Sequence, residues 1–252
     1  MRLAFSTETN HRAALTARLG VVLLQTDAVT EREFPRLLDA ENVRVHYSRI
    51  PSAREVSPEG LAAMEAALPA AVELLPPSVD FDVIAFACTS GATIIGEARV
   101  AEAIRSVRPG VAVSNPLTAA KAALGTLGLG RIGFVTPYAA AVSAAMRDHL
   151  AAAGFETVSF GSFEVTDDGV VAAMTPDSIL TAAIQVGATN DCDGVFIACT
   201  NLRAAGIIEA AEAALGKPVI SSNQALAWHM LRLAGVDEPR RNCGQLLTLP
   251  LG

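Results

Sequence analysis

Cys88 and Cys199 stand in closely similar surroundings. The first lies in Phe81-Asp82-Val83-Ile84-Ala85-Phe86-Ala87-Cys88-Thr89-Ser90-Gly91-Ala92, the second in Asp193-Gly194-Val195-Phe196-Ile197-Ala198-Cys199-Thr200-Asn201-Leu202-Arg203. Each has an apolar, strand-like run, then Ala-Cys-Thr with Ser or Asn, then a segment of helical character. A fold that brings two such units together sets two thiols on opposite sides of one small molecule. That arrangement suits proton movement at a planar carbon, or addition to it.

In open α/β sheets, ligands bind at the carboxyl ends of the strands, where both cysteines fall. A helix starting just after each would present unpaired N–H groups and the positive end of its dipole. Both favour thiolate, and the same N–H groups hold anionic oxygens. Thr89 and Ser90, then Thr200 and Asn201, add hydroxyl and amide groups to the two cradles. A single cysteine at a strand end is more often a small buried hydrophobe; the match between two speaks for function. Cys192 and Cys243 have no such match and read as structural.

Other candidates surround this pair. Tyr138 follows Thr136-Pro137 at the end of an apolar run, within reach of the site. Asp27, in Gln25-Thr26-Asp27, is either a site group or a cap for the next segment. Asn115 and Asn223 read as helix caps. Thr175-Pro176-Asp177 reads as N-cap, N1 proline and first-turn acid. His11, His46, His149 and His229 share no spacing, and Gly125, Gly128 and Gly130 form no phosphate loop.

The elements that must carry these groups alternate between short strands and Ala-rich helices. Strand-like runs are Gly20–Leu24, Val43–Tyr47, Phe81–Ala87, Val111–Ser114, Arg131–Thr136, Thr157–Phe160, Gly194–Ala198 and Pro218–Ser221. Helical segments include Ile95–Val107, Ala139–Ala153 and Ala204–Leu215. This alternation indicates parallel sheets built from βαβ units. Val111-Ala112-Val113-Ser114-Asn115 recurs as Pro218-Val219-Ile220-Ser221-Ser222-Asn223, and Gly20-Val21-Val22-Leu23-Leu24 as Gly133-Phe134-Val135-Thr136-Pro137. With the cysteine motifs, three elements repeat in one order at nearly one spacing. The expected fold is α/β: two pseudo-symmetric parallel-sheet units from an internal duplication, with the active site in the cleft between them. The expected division is an extension over 1–19, a first half over 20–120 and a second over 121–252. The boundary falls near Ala119–Leu129, and the chain after about Leu215 crosses back.

Bulk composition excludes other classes. The 252 residues are 51% hydrophobic, 18% charged and 5% aromatic, with a net charge of −7 and no basic stripe. Nucleic acid is therefore not an expected partner. No apolar run approaches the roughly 18 residues of a membrane span. The start, Met1-Arg2-Leu3-Ala4-Phe5-Ser6-Thr7-Glu8, lacks the apolar stretch of a signal peptide. Four cysteines without C-x-x-C or zinc-ligand spacing suit the reducing cytosol, so a cytoplasmic location is expected.

Ala-Cys-Thr-Ser-Gly at 87–91 and Ala-Cys-Thr-Asn-Leu-Arg at 198–203 resemble the paired motifs of the Asp/Glu racemase superfamily, in the branch of maleate cis-trans isomerase and arylmalonate decarboxylase. The resemblance covers roughly residues 20–235. It implies a pseudo-symmetric pair of α/β units, no cofactor, no metal, and a homodimer or homotetramer. It implies a small carboxylate or amino-acid substrate. Arylmalonate decarboxylases usually carry glycine at the first cysteine position; both cysteines are present here. By resemblance Cys88 is the nucleophile that adds to a double bond, Cys199 moves the proton, and Tyr138 binds a substrate carboxylate. The sequence departs where the isomerases have an Asn and this chain has Asp27. A second family Asn falls near Asp167-Asp168, which makes Asp168 a further substrate-binding candidate. An amide donates to a carboxylate; an ionised Asp only accepts. The Gln-Thr-Asp variant is similar to racemase-like proteins of ectoine utilization, which implies racemisation of a diamino acid derivative as the alternative.

Overall fold

Among the described residues, eight short parallel strands form two four-stranded sheets. The computed structural model describes residues 16–38, 42–52 and 57–252. In the first sheet β1 (Ala17–Leu24), β2 (Val43–Ile50), β3 (Val83–Phe86) and β4 (Ala112–Ser114) run in the order β2-β1-β3-β4. In the second, β5 (Arg131–Thr136), β6 (Glu156–Ser162), β7 (Gly194–Ile197) and β8 (Val219–Ser221) run in the order β6-β5-β7-β8. The two orders are the same, as a duplication requires. Both inner pairs of strands are almost wholly buried, so they read as continuous apolar runs rather than alternating ones.

The repeated glycines have a packing reason. Gly20 pairs with Ile84 across β1 and β3, and Gly133 with Val195 across β5 and β7. A Cβ on Gly20 would lie 2.9 Å from Leu75 Cδ1; one on Gly133 would lie 2.9 Å from Val186 Cγ1. Each glycine lets a side chain of the covering layer lie directly on the sheet.

Helices cover both faces. The first half carries α1 (Thr30–Leu38), α2 (Pro58–Glu73), α3 (Thr89–Ile95), α4 (Glu97–Val107) and α5 (Pro116–Thr126). The second carries α6 (Ala140–Ala152), α7 (Asp168–Ala173), α8 (Pro176–Gly187), α9 (Ile208–Leu215) and α10 (Ser222–Leu233). Asn115 caps α5, accepting from the N–H of Leu117 and Thr118, and Thr175 caps α8. The two sheets divide between β4 and β5, with α5 spanning the intervening chain. The last helix, α10, packs against α1, α5, β3 and β4 of the first half. Trp228 at its centre is fully buried and donates to Leu249 O. Arg232 fastens the C-terminal segment through Leu247 O and Leu249 O.

Four local expectations are corrected. Strand β1 begins at Ala17, so residues 17–19 belong to the sheet rather than to an extension; residues 1–15 and His11 lie outside the described residues. Gly96, at φ +93°, breaks the segment Ile95–Val107 and separates α3 from α4. Helix α9 starts at Ile208, not Ala204, because 200–207 is a run of turns. Asn223 is not a cap: Ser221 caps α10 in a capping box with Gln224, which leaves Asn223 inside the helix with its amide free for tertiary contacts.

Candidate active site

In each sheet the strand order places the carboxyl ends of the first and third strands side by side. In each half the chain leaves these two adjacent ends in opposite directions, which opens a crevice. Asp27 and Cys88 leave the β1 and β3 ends; Tyr138 and Cys199 leave the β5 and β7 ends. The strand-to-loop geometry repeats as well: Ala87 N–H donates to Val22 O and Ala198 N–H to Val135 O, both at 2.8 Å.

Cys88 is the N-cap of α3. Its Sγ accepts from the Gly91 N–H at 3.2 Å and lies 3.5 Å from Ser90 Oγ. Gly91 is required here: a Cβ would stand 2.9 Å from Phe86 Cε1 and 3.0 Å from Cys88 Sγ. The N–H groups of Thr89 and Ser90, the first two of the helix, have no intrahelical acceptor and remain available to a bound anion.

No helix begins at Cys199, which corrects the expectation of a matching dipole there. Cys199 instead has φ +137°, a conformation that side-chain-bearing residues rarely adopt. Such strain costs on the order of 1–3 kcal/mol and persists only where the surroundings over-determine it. Here they do. Cys199 N–H donates to Ser222 Oγ at 3.0 Å, and Cys199 Sγ accepts from Asn201 N–H at 3.3 Å. Thr200 Oγ1 donates to Ala87 O across the halves at 3.2 Å. The Asn201 side chain accepts from Ala28 N–H at 2.9 Å and donates to Thr26 O and Asp168 O.

Tyr138 lies between the surroundings of the two sulfurs. Its hydroxyl neighbours Cys199 and Ser90, and Ser90 Oγ lies 3.5 Å from Cys88 Sγ. All of these groups are buried: Cys88 is 4% exposed, Cys199 5% and Tyr138 3%. Burial is therefore the largest influence on the thiols, and it overturns the expectation of lowered values. It pushes Cys88 up to about 11, against the opposing bonds from Ser90 and Gly91, and the negative charges of Asp168 and Asp27 add to the rise. Burial, then Asp168, holds Cys199 well above the ordinary thiol range; Tyr138 and Asn201 oppose.

Asp27 is a cap. Its Oδ1 accepts from the N–H groups of Val29 at 3.0 Å and Thr30 at 2.9 Å, and its Oδ2 from Thr30 Oγ1 at 2.8 Å. It still borders the site, since burial and the neighbouring Asp168 raise its carboxyl. Asp168, at the start of α7, accepts a short hydrogen bond from the Thr26 hydroxyl. Both carboxylates are buried, and among the described residues neither forms an ion pair.

The nine residues singled out from the sequence are all buried near the strand ends, but they divide in what they offer. Thr89 Oγ1 is spent on Ser222, Thr200 Oγ1 on Ala87, and the Asn201 amide on the β1 loop and Asp168 O. These three hold the site together rather than leaving polar groups open. Ser222, Asn223, Thr30 and Glu33 also support the cleft and were not anticipated in these roles. Only Ser222 and Asn223 lay in a repeated segment; nothing local marked Glu33. Cys192 is structural: its Sγ accepts from Gly133 N–H and donates to Gly194 O. His229 is buried against Ser114 Oγ at 2.8 Å. Among the described residues no group of His, Cys, Asp and Glu is placed to hold a metal ion.

Two parallel α/β units of like topology, each ending a central strand in a buried cysteine at a shared cleft, define a class: the twin-cysteine, pseudo-symmetric enzymes of the Asp/Glu racemase kind. The family model for arylmalonate decarboxylase matches residues 54–247. The chain belongs to this family. Its relatives include maleate isomerase of Alcaligenes faecalis, 25% identical over 248 residues covering 92% of this chain and 97% of the relative. Maleate isomerase of Nocardia farcinica is 27% identical, covering 91% and 95%. Among solved structures, a mutant Nocardia farcinica maleate cis-trans isomerase with a covalently bound succinylcysteine intermediate superposes with a TM-score of 0.84 at 26% identity, covering 92% of this chain and 98% of that one. A liganded arylmalonate decarboxylase double mutant shares the fold, with a TM-score of 0.79 at 23% identity and coverage of 91% and 98%.

Proposed function

We propose that this protein is a cofactor-independent cis-trans isomerase of a small unsaturated dicarboxylate, of the maleate type, worked by Cys88 and Cys199. The observation that carries this reading is the pair of buried thiols, one from each half, with Tyr138 and Ser90 beside them. The maleate isomerases among its relatives support it. The pair works with one proton. Cys88 reacts through its minor thiolate form, which the Gly91 N–H stabilises against the effect of burial, and Cys199 acts as thiol. The Cys88 sulfur adds to one alkene carbon while Cys199 gives its proton to the other, leaving a saturated thioether and a Cys199 thiolate. The former double bond rotates. Cys199 then takes a proton back, the C–S bond breaks, and the trans alkene leaves with Cys88 restored as thiolate. Thr89 and Ser90 N–H groups and the Tyr138 hydroxyl are the donors for substrate carboxylates.

The test is proton NMR with maleate, paired with mass spectrometry of Cys199→Ser after incubation. Fumarate and a Cys88 adduct are expected. A protein that forms neither is not this isomerase.

Asp27 and Asp168 favour a second reading. Two buried carboxylates without a cationic side chain repel a dicarboxylate and attract a positively charged nitrogen. On this reading one sulfur removes an α-proton from a small amino acid, such as a diamino acid of ectoine breakdown, and the other delivers a proton to the opposite face. Loss of the α-proton signal of 2,4-diaminobutyrate, free or N-acetylated, in D₂O with maleate untouched would select it. We place the protein in the cytosol as a homodimer or homotetramer; light scattering on the purified chain tests the assembly.

A further inference from the structure

Glu33 lies in the first turn of α1, with its carboxylate turned inward to the second half. Oε1 accepts from the Ala205 N–H at 2.8 Å, and Oε2 accepts from Asn223 Nδ2 at 2.8 Å. The same Asn223 nitrogen donates to Thr200 O at 2.8 Å. Asn223 Oδ1 lies 3.2 Å from Thr30 Oγ1, whose single proton is shared with the closer Asp27 Oδ2 at 2.8 Å. One carboxylate thus grips both ends of the turn that follows Cys199: Ala205 directly, and Thr200 through an amide. That turn carries the strained backbone of Cys199. Among the described residues no comparable clamp acts on Cys88, which caps its own helix.

We propose that Glu33 is a positioning residue for Cys199: its two oxygens orient the Asn223 amide and the 200–205 turn, and so keep the second thiol aimed across the cleft. This rests on the two-thiol reading of the site, but its test does not require turnover.

An ionised carboxylate suits the role, since both partners are N–H donors and both oxygens must accept. A neutral carboxyl leaves one oxygen bearing a proton against a donor. Burial, opposed by the Asn223 and Ala205 bonds, pushes Glu33 up to about 7. The charged groups around it are Arg32 and Arg36 on its own helix, Arg203 on the turn, and Asp27 across the β1 loop. The arginines keep their charge throughout this range. The clamp therefore tightens as pH rises through neutrality and slackens below it.

The experiment compares Cys199 with Cys88 by site-resolved alkylation, using iodoacetamide and peptide mass spectrometry, in wild type and Glu33→Gln. Glutamine offers one acceptor and one donor, so one of the two contacts is lost. Loss of a charge-assisted hydrogen bond is worth roughly tenfold. The expected result is a Cys199-to-Cys88 rate ratio changed about tenfold. The wild-type ratio should step near neutral pH and be flat in the variant. With a turned-over substrate, kcat should fall while KM moves less than twofold. A ratio unchanged by the substitution, or both cysteines changing together, overturns the proposal. Should the variant fail to fold, the wild-type ratio decides alone: no step between about pH 6 and pH 9 overturns it.

Discussion

Asp168→Asn tests the electrostatics of the cleft most directly. Asp168 contributes to the raised pKa of both thiols, ranking second only to burial at Cys199. Its short bond from Thr26 can be kept by the asparagine carbonyl, so the substitution removes a charge with little change of shape. With Cys88 pushed up to about 11, only about one molecule in a thousand carries its thiolate at pH 8. A neighbouring like charge shifts a titratable group by about one pKa unit or more, which is about 1.4 kcal/mol. Removing it should raise the thiolate population, and hence the iodoacetamide alkylation rate of Cys88 below pH 9, about tenfold. The plateau of the rate–pH curve should move to lower pH. The same variant separates the two functional readings: KM for a dicarboxylate should fall, whereas KM for an amino-bearing substrate should rise. Alkylation within a factor of two of wild type at every pH would refute the reasoning, because no negative charge at Asp168 would then act on the sulfurs.

Cys88→Ala and Cys199→Ala should each nearly abolish turnover while leaving the thermal midpoint within a few degrees of wild type; wild-type rate in either removes the two-thiol mechanism. Gly91→Ala should destabilise by about 1–3 kcal/mol, because its Cβ meets Phe86 and the Cys88 sulfur, and chemical denaturation measures this. Tyr138→Phe should slow Cys199 alkylation about tenfold by removing a hydroxyl that stabilises its thiolate, with Cys88 less affected. Asp27→Ala should cost about 0.5–2 kcal/mol through loss of the cap on the β1–α1 turn, again read by denaturation.

Much of the fold was legible because buried parallel strands are short, continuous apolar runs. All eight were recognisable, and Gly20 and Gly133 marked the register of the duplication. What was not legible was long-range. A sequence motif places Cys199 after a strand, but whether a helix follows depends on the tertiary bonds of 200–207. The apparent symmetry of the two cysteines therefore hid a real difference: Cys88 caps a helix and Cys199 sits in a strained turn. Thr89, Thr200 and Asn201 looked like open ligand groups because their partners, Ser222, Ala87 and the β1 loop, are far away in the chain. Burial likewise has no local signature, so the sign of the thiol shifts was read from the helix dipole alone. Glu33 was invisible for the same reason: on a helix, one acidic residue among Glu31, Arg32 and Arg36 reads as solvated surface.

The crossing of α10 has a mechanical consequence. This helix belongs by sequence to the second half yet packs on α1, α5, β3 and β4 of the first. A hinge that swung the halves apart would have to strip a helix whose tryptophan is fully buried. Separating the two sulfurs would therefore require unpacking that helix.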